Sequence, residues 1–575
     1  MERQNHRTFS SIAIPTTRFF ELLRSAGGQM PAINYKKAAT FFEFCCLYGV
    51  MRTNSYPQDD LPKELGLSFS KSISLFIGKA VSLKKIPAFL FILSVLGTAV
   101  CLASEAPEKS PRESTLSGLR HTPESEARLN KWFRDAKFGA FIHFGPYSTL
   151  AGKYKDQEVK GAYAEWIQVN ANIPCDEYRK EVAGLFNPQE FDAEEWVKTF
   201  KDAGMRYVVI TAKHHDGFAL YDSACSDYDV MDASPFKRDV VKELSEACHR
   251  NGLTFGVYYS QAQDWSDPDS TTFLKRKGTL KKLHPKLPAD HQPDVDAYIE
   301  RKALPQIKEL VKNYGVELVW FDTPAGMTPE QAQRFRDAVW EINPDCVINS
   351  RVLLPSVGFK NFGPGTNLTP ESFEYFDYVS LGDKQVPALK LPFTTESPDS
   401  VSTSYGYKAY GEHTYHSLKE LIQRMVHTVC GGGNYLLNCG PMGNGKIDPK
   451  AVELFAGLGT WIHDNGASIF NTLPNPLPAR PAWGDASLSK DGKALYLHVM
   501  KWPKDGKLVI DGMPGNATAA SFLSPKAPQG ALDFAQSKTS LTLTLPAESV
   551  DPDNTVIKVS LENGGGPDSS QNAPQ

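Results

Sequence analysis

The sequence predicts an α/β protein, a (β/α)8-like barrel followed by a C-terminal antiparallel β-sandwich. Between residues 138 and 440, short apolar runs alternate with amphipathic helical stretches, the pattern of strand then helix wound repeatedly. The runs number eight, the count that closes a parallel barrel. After Asn465 the texture becomes alternating apolar and polar residues cut by Pro and Gly turns, which reads as paired strands with one wet face.

The expected barrel strands are FGAFIHF (138–144), YVVITAKHH (207–215), LTFGVYYS (253–260), VELVWFD (316–322), CVINSR (346–351), DYVSL (377–381), PFTTES (392–397) and NYLLNCG (434–440). They are short, β-branched or aromatic and mostly without alternation, as strands covered on both faces are. Between them lie FDAEEWVKTFKDAG, with Asp192 and Glu195 at capping-box spacing, then KRDVVKELSEACHRNG, ERKALPQIKELVKNYG, PEQAQRFRDAVWEIN and SLKELIQRMVHTVCGG; all carry a helical apolar stripe. ASLSKDGKALYLHVMKW, GKLVIDGM, TSLTLTLP and NTVIKVSLE supply the sandwich. The basic run KRKGTLKKLHPK within 264–296 reads as a surface insertion.

The 575 residues divide by this reading into a leader (1–83, mis-annotated or disordered), a signal peptide (84–103), a linker (104–123), the barrel (124–465), the sandwich (466–562) and a disordered tail (563–575). Lys84-Lys85 precedes the uncharged stretch Ile86 to Ala103, which ends on small residues; this layout predicts export to the periplasm or beyond, with no stable membrane insertion once the signal is removed. A net charge of -4 gives no large basic field, so nucleic acid is not the expected partner. Oligomeric state is not legible. The six cysteines beyond Ala103 match no CxxC pattern and no dense disulfide framework.

Barrel chemistry gathers at strand C-terminal ends. Those ends carry His143, the pair His214-His215, Tyr258, Asp322, Asn349 with Arg351, Asp383, Glu396 and Asn438. Successive strand residues face opposite sides, so His214 and His215 cannot both be ordinary core residues unless the strand bends there. Asp322, after Trp320 and Phe321, suits a nucleophile or a metal ligand, and Glu396 or Asp383 could oppose it as the second carboxyl of a glycosidase pair. A metal-dependent hydrolase using His143, His214, His215 and Asp322 is the rival reading. Against it stand the absence of HxH or HExxH spacing and the opposed faces of the His pair.

The blocks WFRDAKFGAFIHFGPYS (132–148), AEWI (164–167), FDAEEWVKTFKDAGMRYVVITAKHHDGFALYDS (191–223), FKRDVVKELSEACHRNGLTFGVYYSQAQDW (236–265), VELVWFD (316–322), PDCVINSR (344–351), GGGNYLLNCGP (431–441) and YLHVMKWP (496–503) resemble the α-L-fucosidases of glycoside hydrolase family 29, over about Glu124 to Leu561. The resemblance implies a cofactor-free, metal-free retaining exo-hydrolase that removes terminal α-L-fucose from glycans through a fucosyl-enzyme. Asp322 matches the family's nucleophile. His143, Glu165, Trp166, His214 and His215 match its fucose pocket, with Tyr258 and Arg351 also lining it. For the acid/base, Glu396, Asp383 and Glu371 are the candidates, in that order. The family's usual Trp before the Glu is Thr395 here, and Val386-Pro387-Ala388 stands where related chains often carry a Glu. A catalytically silent fucose-binding protein on the same scaffold is the alternative from another class.

Overall fold

A computed structural model describes residues 119–275, 277–355, 368–387 and 391–562. The leader, the signal segment, most of the linker and the C-terminal tail lie outside the described residues, as does Arg276 in the basic insertion. Eight parallel strands follow in chain order: β1 (Phe138–Ile142), β2 (Tyr207–Lys213), β3 (Thr254–Tyr259), β4 (Leu318–Phe321), β5 (Val347–Ile348), β6 (Val379–Ser380), β7 (Thr395–Ser400) and β8 (Asn434–Cys439). Each pairs with its sequence neighbours except at the β5–β6 seam, and β1 pairs with β8. Between β5 and β6 the contact narrows to one bridge, Asn349 to Tyr378, with Ser350 N donating to Tyr378 O at 2.9 Å.

Helices α1 (Ala193–Asp202), α2 (Val240–Arg250), α3 (Leu304–Asn313), α4 (Pro329–Ile342), α5 (Leu418–Cys430) and α6 (Pro449–Asn465) flank the sheet. Their starts follow side-chain chemistry. Asp192, Asp239, Thr328 and Ser417 each accept a backbone N–H of the first turn, and Thr328 and Ser417 complete reciprocal capping boxes; such caps satisfy donors that a helix start leaves without partners. The apolar stripes Trp196-Val197-Phe200 of α1 and Leu421-Met425-Val429 of α5 bury against the outer faces of the strands.

All eight expected strands form, but the seventh runs over 395–400 where the sequence predicts 392–397. Pro398 reads as a turn signal, since it has no N–H to donate. The chain instead carries it through the strand, with the next side chain, Asp399, tied to Arg424 at 3.0 Å and to Tyr435 Oη at 3.0 Å. Glu396 is therefore the second residue of β7, not its C-terminal end.

A helical segment from Pro123 to Ala136, not foreseen from sequence, seals the floor of the barrel. Phe133 stacks on Tyr378 at 4.4 Å, its carbonyl accepts from Asn434 Nδ2 at 2.7 Å, and Arg128 pairs with Asp377 at 2.8 Å. These partners all sit at strand beginnings.

C-terminal to α6, strands β9 (Thr472–Leu473), β10 (Gly484–Ser489), β11 (Ala494–Val499), β12 (Lys507–Asp511), β13 (Ala517–Phe522), β14 (Phe534–Gln536), β15 (Ser540–Thr544) and β16 (Thr555–Leu561) make two antiparallel sheets, β9-β10-β11-β16-β13 and β12-β15-β14. Leu495, Leu497, Ile557 and Val559 of the first meet Leu508, Ile510, Leu541 and Leu543 of the second in one core. The outer face of the larger sheet sends Tyr496 and Val556 into the main core, and Asp485 there holds His427 of α5 at 2.8 Å. Among the described residues, Cys175, Cys225, Cys248, Cys346, Cys430 and Cys439 are all free thiols, and no helix is long and apolar enough to cross a membrane.

Candidate active site

At the C-terminal mouth of the strands lies a cavity of about 240 Å³. His143, His214, His215, Tyr258, Asp322, Arg351 and Asp383, from the strand-end reading, line it, together with Glu165 and Trp166, which the family resemblance singled out. Phe141, Trp320, Thr323, Pro398, Tyr163 and Tyr405 complete the wall. Of these, Tyr163 directly precedes AEWI and Thr323 directly follows VELVWFD, so both stood beside recognisable motifs. Tyr405 belongs to the loop after β7, and only the displaced strand hid it.

Asp322 is held from several sides. Tyr258 Oη donates to its Oδ2 at 2.9 Å; Arg351 Nη1 and Thr323 N donate to Oδ1 at 2.9 and 2.8 Å. Its own backbone N–H donates to Gln261 Oε1 at 2.9 Å, and Gln261 Nε2 in turn donates to the Arg351 carbonyl at 2.9 Å. Thr323 takes φ +43°, a left-handed conformation costly for a β-branched residue. That strained turn aims the carboxylate into the cavity.

Arg351 also donates from Nη2 to Asp383 Oδ1 at 2.7 Å, so one buried guanidinium joins two carboxylates. Burial alone would favour its neutral form; Asp383 and Asp322 outweigh that and push its pKa up. The Asp383 side chain is 36% exposed at the rim.

Burial holds two of the histidines, His143 and His214, in the neutral form. Asn438 gives both amide protons away, to Ser400 Oγ and to the Tyr405 carbonyl, so its Oδ1 accepts from His143 Nδ1 at 2.8 Å. Burial lowers the His143 pKa to about 4, which leaves Nε2 an acceptor at neutral pH. His214 is lowered well below its ordinary value by burial and by its neighbours His215, His143 and Lys213. Its Nδ1 makes no hydrogen bond within the described residues. Ser260 gives its proton to the Gln263 carbonyl at 2.7 Å, so His215 Nδ1 donates to Ser260 Oγ at 2.6 Å, and Nε2 faces Asp322 Oδ2 at 3.7 Å. Tyr258 lies between His214 and Trp320, with ring centroids 5.3 and 5.5 Å away.

The bend at the strand end resolves the adjacent histidines. Lys213 is fully buried and donates to Asp264 Oδ2 and Tyr298 Oη, both at 3.0 Å, while the Trp265 N–H donates to the His215 carbonyl at 2.6 Å. Gly217, at φ +80°, lets the chain pass against Asp264. Burial lowers Lys213 to about 8. Burial would raise Asp264, but the Lys213 and Lys302 cations hold it below the usual carboxylate range. Trp166 and Trp265 meet edge-on at 5.3 Å, and Trp166 meets His215 at 5.1 Å.

Two predicted site residues lie elsewhere. Glu371 is exposed on the short 3-10 turn Pro370–Glu374, outside the cavity wall. Glu396, on the second residue of β7, is buried in the barrel interior and outside that wall, accepting from Tyr207 Oη at 2.7 Å, Trp320 Nε1 at 2.8 Å and Tyr378 Oη at 3.1 Å. Glu165 does line the cavity. Its Oε2 accepts from Gly406 N at 2.7 Å, and burial raises its carboxyl to about 7 against that bond. Among the described residues no group of three His, Cys, Asp or Glu side chains is disposed to hold a metal ion.

A parallel barrel with paired carboxylates in a His- and Trp-lined cavity at its mouth is the arrangement of a glycoside hydrolase, and the comparisons agree on that class. The family profile described as alpha-L-fucosidase matches residues 107–467. Human plasma alpha-L-fucosidase is 30% identical over 417 residues, 68% of this chain and 82% of that protein. The crystal structure of an alpha-L-fucosidase from Vibrio sp. strain EJY3 superposes with a TM-score of 0.67 at 29% identity, over 77% of this chain and 74% of the other. A Bacteroides thetaiotaomicron family 29 alpha-L-fucosidase, solved as a trapped covalent intermediate with 2-fluoro-fucosyl fluoride, gives 0.65 at 25% identity, over 78% and 98%. The chain belongs to the α-L-fucosidase family, glycoside hydrolase family 29.

Proposed function

We propose that this protein is a retaining exo-α-L-fucosidase acting on terminal fucosyl groups of glycans. The observation that carries the reading is Asp322, aimed into a small cavity at the barrel mouth by Tyr258, Arg351 and the Thr323 turn. A volume of about 240 Å³, below the roughly 300–1,000 Å³ of drug-sized sites, suits one terminal sugar. His143 Nε2 can accept a sugar hydroxyl proton, His214 and His215 add further polar contacts, and Trp166 offers an apolar face for the methyl of a deoxy sugar. Asp322 attacks the anomeric carbon as the leaving oxygen takes a proton; water then reverses the step, giving net retention.

Asp383 is the group placed for that proton. It stands at the exposed rim, where a leaving glycan must exit, across Arg351 from Asp322. Once Asp322 is esterified its charge is gone, and Asp383 remains beside Arg351 as the carboxylate base that activates water. Glu165 is the second reading, favoured by a carboxyl raised to about 7; its position on the buried wall, tied to Gly406, speaks for a substrate contact instead. Export by the segment 84–103 belongs to the same proposal, on the ground that Lys84-Lys85 precedes an uncharged stretch ending in small residues.

The test is hydrolysis of 4-nitrophenyl α-L-fucoside by residues 104–575, with NMR of the first-formed anomer. Wild type is expected to release α-fucose, Asp322→Ala to lose at least about 10³-fold in turnover and to regain it with azide as a fucosyl azide. Asp383→Ala is expected to keep much of its first step on this activated substrate and to respond to azide. A normal Asp383→Ala beside an azide-responsive Glu165→Ala would reverse the two roles. Full activity in Asp322→Ala would end the proposal, and fucose binding without turnover in wild type would leave a silent binding protein.

A further inference from the structure

We propose that Glu396 is a positioning residue for the nucleophile, acting through the indole of Trp320. The inference rests on the reading of Asp322 as nucleophile and deepens it.

Glu396 is fully buried within the barrel, below the cavity. Among the described residues no Lys or Arg contacts it; two tyrosine hydroxyls and one indole N–H satisfy it. Those donors come from β2, β4 and the residue preceding β6, so the carboxylate draws three strands together from a fourth. Of the three donors Trp320 alone touches the site. Its N–H fixes the plane of the indole. One contact of that indole is the Arg351 guanidinium, 4.6 Å from the ring centroid; another is Tyr258, stacked 19° from parallel at 5.5 Å. Arg351 and Tyr258 are the two side chains that donate to Asp322. Tyr258 and Trp320 are also register partners on β3 and β4, and Asp322 follows Trp320 by two residues on the same inward side.

A turn of the indole would therefore shift both donors to Asp322. Apolar packing alone tolerates such rotation; a hydrogen bond to a buried carboxyl oxygen does not, because the N–H would lose its acceptor with no water to replace it. The geometry makes Glu396 a support two contacts removed from the reacting carbon, and it accounts for a carboxylate in the barrel core without a cation beside it.

The experiment compares wild type, Glu396→Leu, Glu396→Gln and Trp320→Phe on 4-nitrophenyl α-L-fucoside and on methyl α-L-fucoside, with near-UV circular dichroism as the check on folding. Wild-type turnover that disappears in Asp322→Ala is the reference, so a failure of the catalytic reading shows there and not in this series. Glu396→Leu is expected to lower kcat about 100-fold while KM stays within about threefold, by the same factor on both substrates. Glu396→Gln, whose carbonyl can accept from Trp320 and Tyr378 while its amide donates to Tyr207, is expected to recover to within about tenfold of wild type. Trp320→Phe, which leaves both tyrosine bonds to Glu396 in place, is expected to lower kcat about tenfold and to add little to Glu396→Leu. A loss confined to the methyl glycoside would make Glu396 a proton donor and overturn the proposal. Unchanged turnover in folded Glu396→Leu would overturn it too. If the leucine variant fails to fold, unchanged turnover in Trp320→Phe does the same.

Discussion

Arg351 is the residue on which the two carboxylates of the cavity converge, one on each terminal nitrogen. Its Nε is spent on Ser380 Oγ at 3.1 Å and a further proton goes to the Leu381 carbonyl at 2.9 Å, so the fork cannot pivot. A lysine there keeps the charge but reaches only one carboxylate, because an ammonium lacks the planar fork. Arg351→Lys is expected to lower kcat/KM on 4-nitrophenyl α-L-fucoside by about 100-fold, chiefly in kcat; a change of less than threefold would deny the guanidinium its bridging role. At this scale the sequence was informative where a side chain ended a strand: His143, His214, His215, Tyr258, Asp322 and Arg351 all line the cavity. It misled at Glu396, because a strand expected to end at Ser397 sets that carboxylate at the mouth, whereas the strand runs on to Ser400 and its partners Tyr207, Trp320 and Tyr378 come together only when the sheet closes.

The turn that follows β2 shows how an element enforces the site. Lys213 points away from the cavity into a buried ion pair with Asp264, and the next two residues turn back to the mouth. A Cβ on Gly217 would stand 2.2 Å from Asp264 Oδ1 and 2.3 Å from Ser266 Oγ, at a φ that side chains disfavour. Asp264 has little room to yield, since Lys213 and Lys302 both hold its Oδ2. Gly217→Ala is expected to cost about 2–3 kcal/mol of stability and to raise KM for the fucoside through displaced histidines; an unaltered melting temperature would show that the turn relaxes freely. Local signals foresaw this much, as Asp216-Gly217 is a turn dipeptide. The ion pair was not legible, because Lys213 and Asp264 lie 51 residues apart and nothing local marks either as buried.

Across the whole molecule, the sandwich is fastened to the barrel by polar contacts as well as by apolar burial. Asp485 accepts from Arg480 Nε at 2.7 Å and pairs with His427 of α5; Trp461 of α6 donates to the Asn554 carbonyl at 3.3 Å. His498, on β11 in this seam, is fully buried against Asn554 Nδ2 at 3.1 Å, with Asp485 and His427 the ionisable groups acting on it. Burial lowers its pKa to about 4. Between pH 6.5 and 4 the unfolded chain then binds a proton that the folded one refuses, so this residue withdraws stability as pH falls through that window and none above it. His498→Gln is expected to lose less stability on acidification than wild type, by a difference on the order of 3 kcal/mol between pH 7 and pH 4, read from urea unfolding at both values; parallel losses would contradict the assignment. The eight-strand order and the C-terminal sheets were readable from periodicity. The helix α6 and the floor segment were not, because α6 is apolar over most of its surface and the floor segment precedes the first strand.

That floor segment also fixes the polarity of the molecule in space. Residues Pro123 to Ala136 close the end of the barrel opposite the cavity, so the polypeptide enters the enzyme from beneath. A tether attached upstream of Leu119, whether to a bead, a partner domain or a cell envelope, would moor the molecule by its base and leave its mouth turned outward to incoming glycans.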